Sequence, residues 1–89
     1  MPAKVEPCAW FPTHRQHGLT GLTAEQVAGR IGFPPNQRDD PEKVVHSWTF
    51  TVNGQQCAVW DYKGSHKYKM FSAYGPADAL RLVFGEALT

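Results

Sequence analysis

The pair Asn53-Gly54, set between two runs of alternating residues, constrains this chain more than any other feature. Both residues tolerate positive φ, which a two-residue type I′ turn demands, and that turn closes a β-hairpin. From Val44 the period is two. His46, Trp48, Phe50 and Val52 share one face, and Val45, Ser47, Thr49 and Thr51 the other. Residues 55–62 form the return strand. The short loop sets the register: Val52 opposite Gln55, Phe50 opposite Cys57, Trp48 opposite Val59 and His46 opposite Asp61. One face then gathers Trp48, Phe50, Val52, Cys57 and Val59 as a core. The other carries Thr49, Thr51, Gln56, Ala58, Trp60 and Tyr62.

The flanking segments supply helices to cover that core. Thr23 with Gln26 three residues on has the spacing of a capping box, and Leu22 with Val27 that of a hydrophobic staple. Val27, Ala28 and Ile31 make a helical stripe, Gly32 suits the left-handed stop, and Pro34-Pro35 forbids continuation. Residues 36–43 read as a polar connector. Residues 63–67 form a second turn, and residues 68–74 a third strand whose register depends on the loop length. A one-residue slip would exchange its two faces. Pro76 opens a final helix with Ala79, Leu80, Val83, Phe84 and Ala87/Leu88 on its apolar stripe.

The expected fold is α+β: a three-stranded antiparallel meander with a short N-terminal helix and a C-terminal helix on one face. Residues 1–18, punctuated by Pro2, Pro7 and Pro12, read as an irregular arm, and residues 19–89 as one domain. In that arm Trp10 and Phe11 are expected to dock on the domain. An exposed edge at the first or third strand of the meander leaves monomer and homodimer both open.

A length of 89 residues excludes a second independent core. The balance of 9 Lys+Arg against 8 Asp+Glu excludes a tail-like nucleic-acid binder and an acidic DNA mimic. Two cysteines, Cys8 and Cys57, are expected as free thiols, with a single bridge as the minor alternative. With no signal peptide and no apolar run of about 18 residues, the expected setting is the cytoplasm, away from membranes.

Two resemblances stand on these residues. Residues 21–27, then Ile31-Gly32-Phe33-Pro34 and Trp48-Thr49-Phe50, resemble the helix-to-strand passage of the SmpA/BamE-like and β-lactamase-inhibitor-like folds. No outer-membrane role follows, because the lipoprotein signal is missing. Residues 47–54, with Trp60-Asp61-Tyr62-Lys63-Gly64-Ser65 and Phe71-Ser72-Ala73-Tyr74-Gly75-Pro76, are similar to small uncharacterised proteins of phages and mobile elements. That similarity implies a host-directed inhibitor, including the anti-defence kind. It implies no catalytic residue set.

Candidate chemistry narrows by geometry. Cys57, His46 and Asp61 share a face, but Asp61 lies about 13 Å along the strand from Cys57, and His46 faces Asp61. Nucleophile and base do not meet, so no enzyme is expected. The His46–Asp61 pair reads as a structural hydrogen bond at the core's rim, with a polar anchor in a ligand site as the alternative. Cys8, His14 and His17 are spaced C-x5-H-x2-H, which lacks the paired spacing of a zinc site, so no metal or cofactor is expected.

The strongest polar patch is Lys63, His66, Lys67 and Lys69, with no acid between Tyr62 and Asp78 and with Trp60 and Tyr62 beside it. Cations next to aromatic faces suit an acidic protein surface, or a nucleotide or nucleic acid. Lysines blunting a solvated hairpin tip are the plain alternative. Trp60, Tyr62, Lys63, His66, Lys67 and Lys69 are therefore the expected contacts. The expected partner is a host protein of defence or nucleic-acid machinery, and the alternative is a nucleotide or nucleic acid. Trp60 and Tyr62 lie on the face without helices, where the arm is the first candidate for a cover and a partner the second.

Overall fold

The computed structural model describes residues 4–36, 44–62 and 70–88, with residues 44, 45 and 62 described by their backbone alone. The chain runs β1 (Val5–Pro7), β2 (His17–Thr20), α1 (Ala24–Ile31), β3 (Val44–Val52), β4 (Gln55–Tyr62), β5 (Met70–Tyr74) and α2 (Ala77–Phe84). A 3-10 turn (Gly85–Ala87) follows. The five strands form one antiparallel sheet in the order β1-β3-β4-β5-β2.

The β3–β4 hairpin has the register its turn dictates. Val52 pairs with Gln55, Phe50 with Cys57, Trp48 with Val59 and His46 with Asp61. Asn53 and Gly54 sit at φ 51° and 84°, both positive as a type I′ turn requires. The register left open at β5 resolves to Val59 opposite Ala73 and Trp60 opposite Ser72. Phe71 and Ala73 therefore join the core face, and Ser72 and Tyr74 the other.

The expected three-stranded meander with an irregular arm is corrected to this five-stranded sheet. The segment read as irregular supplies both outer strands, β1 against β3 and β2 against β5. Each is three or four residues long, too short to show an alternation of its own. They form because β3 and β5 already present unpaired backbone edges. Pro7 is tolerated because Lys4 and Cys8 turn their backbone groups toward β3, which leaves Pro7 facing outward at a position that needs no N–H. The edges expected to be open are thus paired in part, β3 at residues 50–52 and β5 at residues 70–73. A bridge from Leu88 to Leu19 also closes part of the outer side of β2.

The helix-covered face is a conventional apolar core. Trp48, Phe50, Val52, Cys57, Val59 and Ala73 from the sheet are fully buried against Val27, Ile31, Leu80 and Phe84 from the helices. The Trp48 indole donates to the Phe33 carbonyl at 3.0 Å and meets the Phe71 ring edge-on. α1 starts in the capping box: Gln26 N–H donates to Thr23 Oγ1, and Thr23 N–H to Gln26 Oε1. It stops at Gly32, φ 104°. Arg30 in its last turn donates to the Phe84 carbonyl at the end of α2, tying the two helices together.

The opposite face is closed by a chain segment without regular structure. β1 and β2 lie at opposite edges, so residues 8–16 must cross the sheet, a span of about 19 Å for four strand spacings. Their extended reach of about 30 Å suffices. They cross on the side away from the helices. Thr49 Oγ1 donates to the Cys8 carbonyl, and the rings of Phe11 and His14 both pack on Tyr74. We call this segment the strap. On this face Ser47, Thr49, Ala58, Trp60 and Ser72 are all buried, as a second and more polar layer.

Candidate functional site

The expected contact residues separate. Trp60 is 5% exposed on the strap side of β4, so it supports a surface and does not form one. Tyr62 ends β4, its backbone paired with Val44. Lys63, His66, Lys67 and Lys69 lie outside the described residues.

Directly before this cationic stretch sits the His46–Asp61 pair. The sheet register shifts between Val44 and His46, where β3 has one residue more than β4. Asp61, fully buried, closes the irregularity. Its Oδ1 accepts the His46 backbone N–H at 2.6 Å, and its Oδ2 meets His46 Nδ1 at 2.8 Å. The His46 ring stacks on Trp48 at 6.1 Å and leaves about a third of its side chain in water. A buried carboxylate needs such partners, because leaving it without them costs several kcal/mol. The pair holds the end of the hairpin in shape, as its structural reading expects.

Neither cysteine is in a disulfide, and the two differ in setting. Burial, with a smaller contribution from Cys8, pushes the Cys57 thiol up to about 11, so at neutral pH it is a protonated hydrophobe. Cys8 is raised by burial, partly offset by a hydrogen bond with Thr49. β3 separates their strands, which sets the backbones about 10 Å apart. A disulfide bridges no more than about 7 Å between Cα atoms.

The histidines of the C-x5-H-x2-H run have separate tasks. His14 lies edge-on to Tyr74, while His17 Nε2 bonds the Gly75 carbonyl at 3.1 Å. Among the described residues no three His, Cys, Asp or Glu side chains converge to hold a metal. Among them, too, no helix is long and apolar enough to cross a membrane.

Three residues matter more than their sequence signal suggested. Asn36 acts as a substitute strand where β1 ends: its Nδ2 donates to the Thr49 carbonyl, and its Oδ1 accepts the Thr49 N–H. Gln16 accepts the Gly75 N–H, so Gln16 and His17 together hold both backbone polar groups of Gly75. Trp10 is the third. It does not dock as expected but stands 55% exposed on the strap, while its neighbour Phe11 packs inward. In an extended segment adjacent residues point to opposite sides, so the adjacency of the two rings is the signal for Trp10 out and Phe11 in.

No protein family, curated protein or solved structure matches the chain.

Proposed function

We propose that the chain is a non-enzymatic, phage-type inhibitor that binds a host protein in the cytoplasm and occludes its working surface, as anti-defence (anti-CRISPR-like) proteins do. The observation that carries this reading is the anchoring of the β3–β4 hairpin up to its end. Asp61 is fully buried and doubly bonded to His46, and Trp60 is buried beside it. Lys63, His66, Lys67 and Lys69 follow within eight residues of that anchor, with no intervening acid. A run of cations steers an acidic partner toward its surface. The resemblance of residues 47–54, 60–65 and 71–76 to small phage proteins motivates the same reading.

The test is a charge reversal, Lys63→Glu/Lys67→Glu/Lys69→Glu, in a pull-down from host lysate scored against the unaltered protein. Loss of one partner with the fold intact supports the proposal. Unchanged capture removes the cationic stretch from it. If the captured species is nucleic acid, with affinity falling steeply as salt rises, the nucleic-acid alternative replaces it.

A further inference from the structure

We infer that the outer side of the strap, centred on Trp10, is a docking surface for an acidic protein segment bearing apolar side chains. This goes beyond the proposed function, which rests on the cationic residues after β4.

Of the three tryptophans, Trp48 and Trp60 are buried and Trp10 alone stands in water. Its segment is held along its length. Cys8 N–H donates to the Thr49 carbonyl and the Cys8 carbonyl accepts from Thr49 Oγ1. Phe11 and His14 clasp Tyr74, and Gln16 binds Gly75. An indole presented from a pinned chain loses little freedom on binding, which is what an interface anchor needs.

Charge names the occupant. From Pro7 to Ala24 the sequence has no carboxylate, and it carries Arg15, His14 and His17. Glu6, at the near end, is paired with Lys4 at 3.4 Å. Among the described residues the other exposed acids, Glu25, Asp78 and Glu86, belong to α1, α2 and the 3-10 turn on the other side of the sheet, where they are interspersed with Arg30 and Arg81. The helix side is thus mixed in charge, whereas the strap offers Arg15 with no carboxylate of its own, which suits an acidic segment. Exposed Trp and Arg are the residue types most enriched where binding energy concentrates.

The test uses the full chain and a fluorescein-labelled peptide of three Glu-Asp-Leu-Glu-Phe repeats, read by anisotropy at low and moderate salt. Controls are the same peptide with lysine for each acid, and a thymidine 20-mer. The acidic peptide should bind. Trp10→Ala and Arg15→Glu should each weaken it about tenfold, while Leu82→Ala, at an exposed apolar residue of α2, should leave it unchanged. Near-UV circular dichroism from Trp48 and Trp60 confirms that the variants are folded. Absence of binding overturns the inference, as does binding indifferent to Trp10 and Arg15. Equal binding of the lysine peptide or the 20-mer also overturns it, as does Trp10-dependent self-association in sedimentation. If the acidic peptide is lost only on Lys63→Glu/Lys67→Glu/Lys69→Glu, the strap falls and the proposed function stands.

Discussion

The two faces of this sheet are closed by different means. On one, two capped helices lay Val27, Ile31, Leu80 and Phe84 over Trp48, Phe50 and Val59, leaving the sheet residues no exposure. On the other, Ser47, Thr49, Trp60 and Ser72 are buried on the face that an irregular strap crosses, fixed there by a few hydrogen bonds and two ring contacts on Tyr74. The first face is held by apolar area and interlocking shape, the second by a small number of directional contacts. The second should therefore yield first and tolerate change better.

The largest expected effect separates the two buried tryptophans. Trp48→Ala removes an indole locked between Phe71, His46 and the Phe33 carbonyl, and should cost about 4–5 kcal/mol, the top of the range for such truncations. Trp60→Ala opens its space beneath the strap, which can settle into it, and should cost about 3 kcal/mol. Urea unfolding of both variants checks the order. Equal losses would mean that the strap is as rigid as the helices.

Gly75 lies at the join of the two closures. A Cβ there would stand 2.8 Å from Cys57 Sγ on the core side, and φ 131° is strained for any other residue. Gly75→Ala should cost about 3 kcal/mol from backbone strain and overlap together. In the Cys57→Ala background the Sγ overlap is gone while the strain and the tight approaches to the Gln56 carbonyl at 3.1 Å and Cys57 Cα at 3.2 Å remain, so the penalty should fall by a measurable fraction. An unchanged penalty would place the whole cost in the backbone.

Cys57 also reports the helix-covered face through pH. Its folded pKa, about 11, lies above the ordinary 9.0, so the folded state holds the thiol proton more tightly. The associated stability is fully present below pH 9 and is lost as pH rises from 9 through 11. It amounts to at most about 3 kcal/mol. Melting temperature should therefore fall over that window and fall less in Cys57→Ala. Near pH 8 a thiol reagent should label Cys8 in the folded protein, and both cysteines once it is unfolded.

The same contrast explains what could be read from sequence. Asn53-Gly54, the Thr23–Gln26 capping box and the Gly32 stop are local devices, with their physical cause inside a few residues. The hairpin register and the core face follow from them. β1 and β2 have no such cause. Val5–Pro7 and His17–Thr20 become strands only beside β3 and β5, a tertiary effect that a short, proline-bearing stretch does not display. The candidate site was legible in the same partial way. The His46–Asp61 pairing follows from the turn, whereas the exposure of Trp10 depends on a strap whose path is set by two strands absent from the reading.

The smallest expected effect tests whether the strap is what shelters Trp60. Phe11 is only half-buried and contributes one tilted ring contact to Tyr74 at 5.7 Å, so Phe11→Ala should cost about 1 kcal/mol. For a domain of this size that lowers the melting temperature by roughly 4–8 °C. The informative readout is acrylamide quenching in a Trp10→Phe background, where only the two buried indoles remain. Before the change both should be shielded. After it, quenching should rise for one indole and not the other, because Trp48 lies on the helix side and is untouched. A rise abolished by Trp60→Phe identifies Trp60 as the newly exposed ring. No rise would show that Phe11 is not what keeps the strap closed, and would move that role to the bonds of Cys8 with Thr49 and of Gln16 with Gly75.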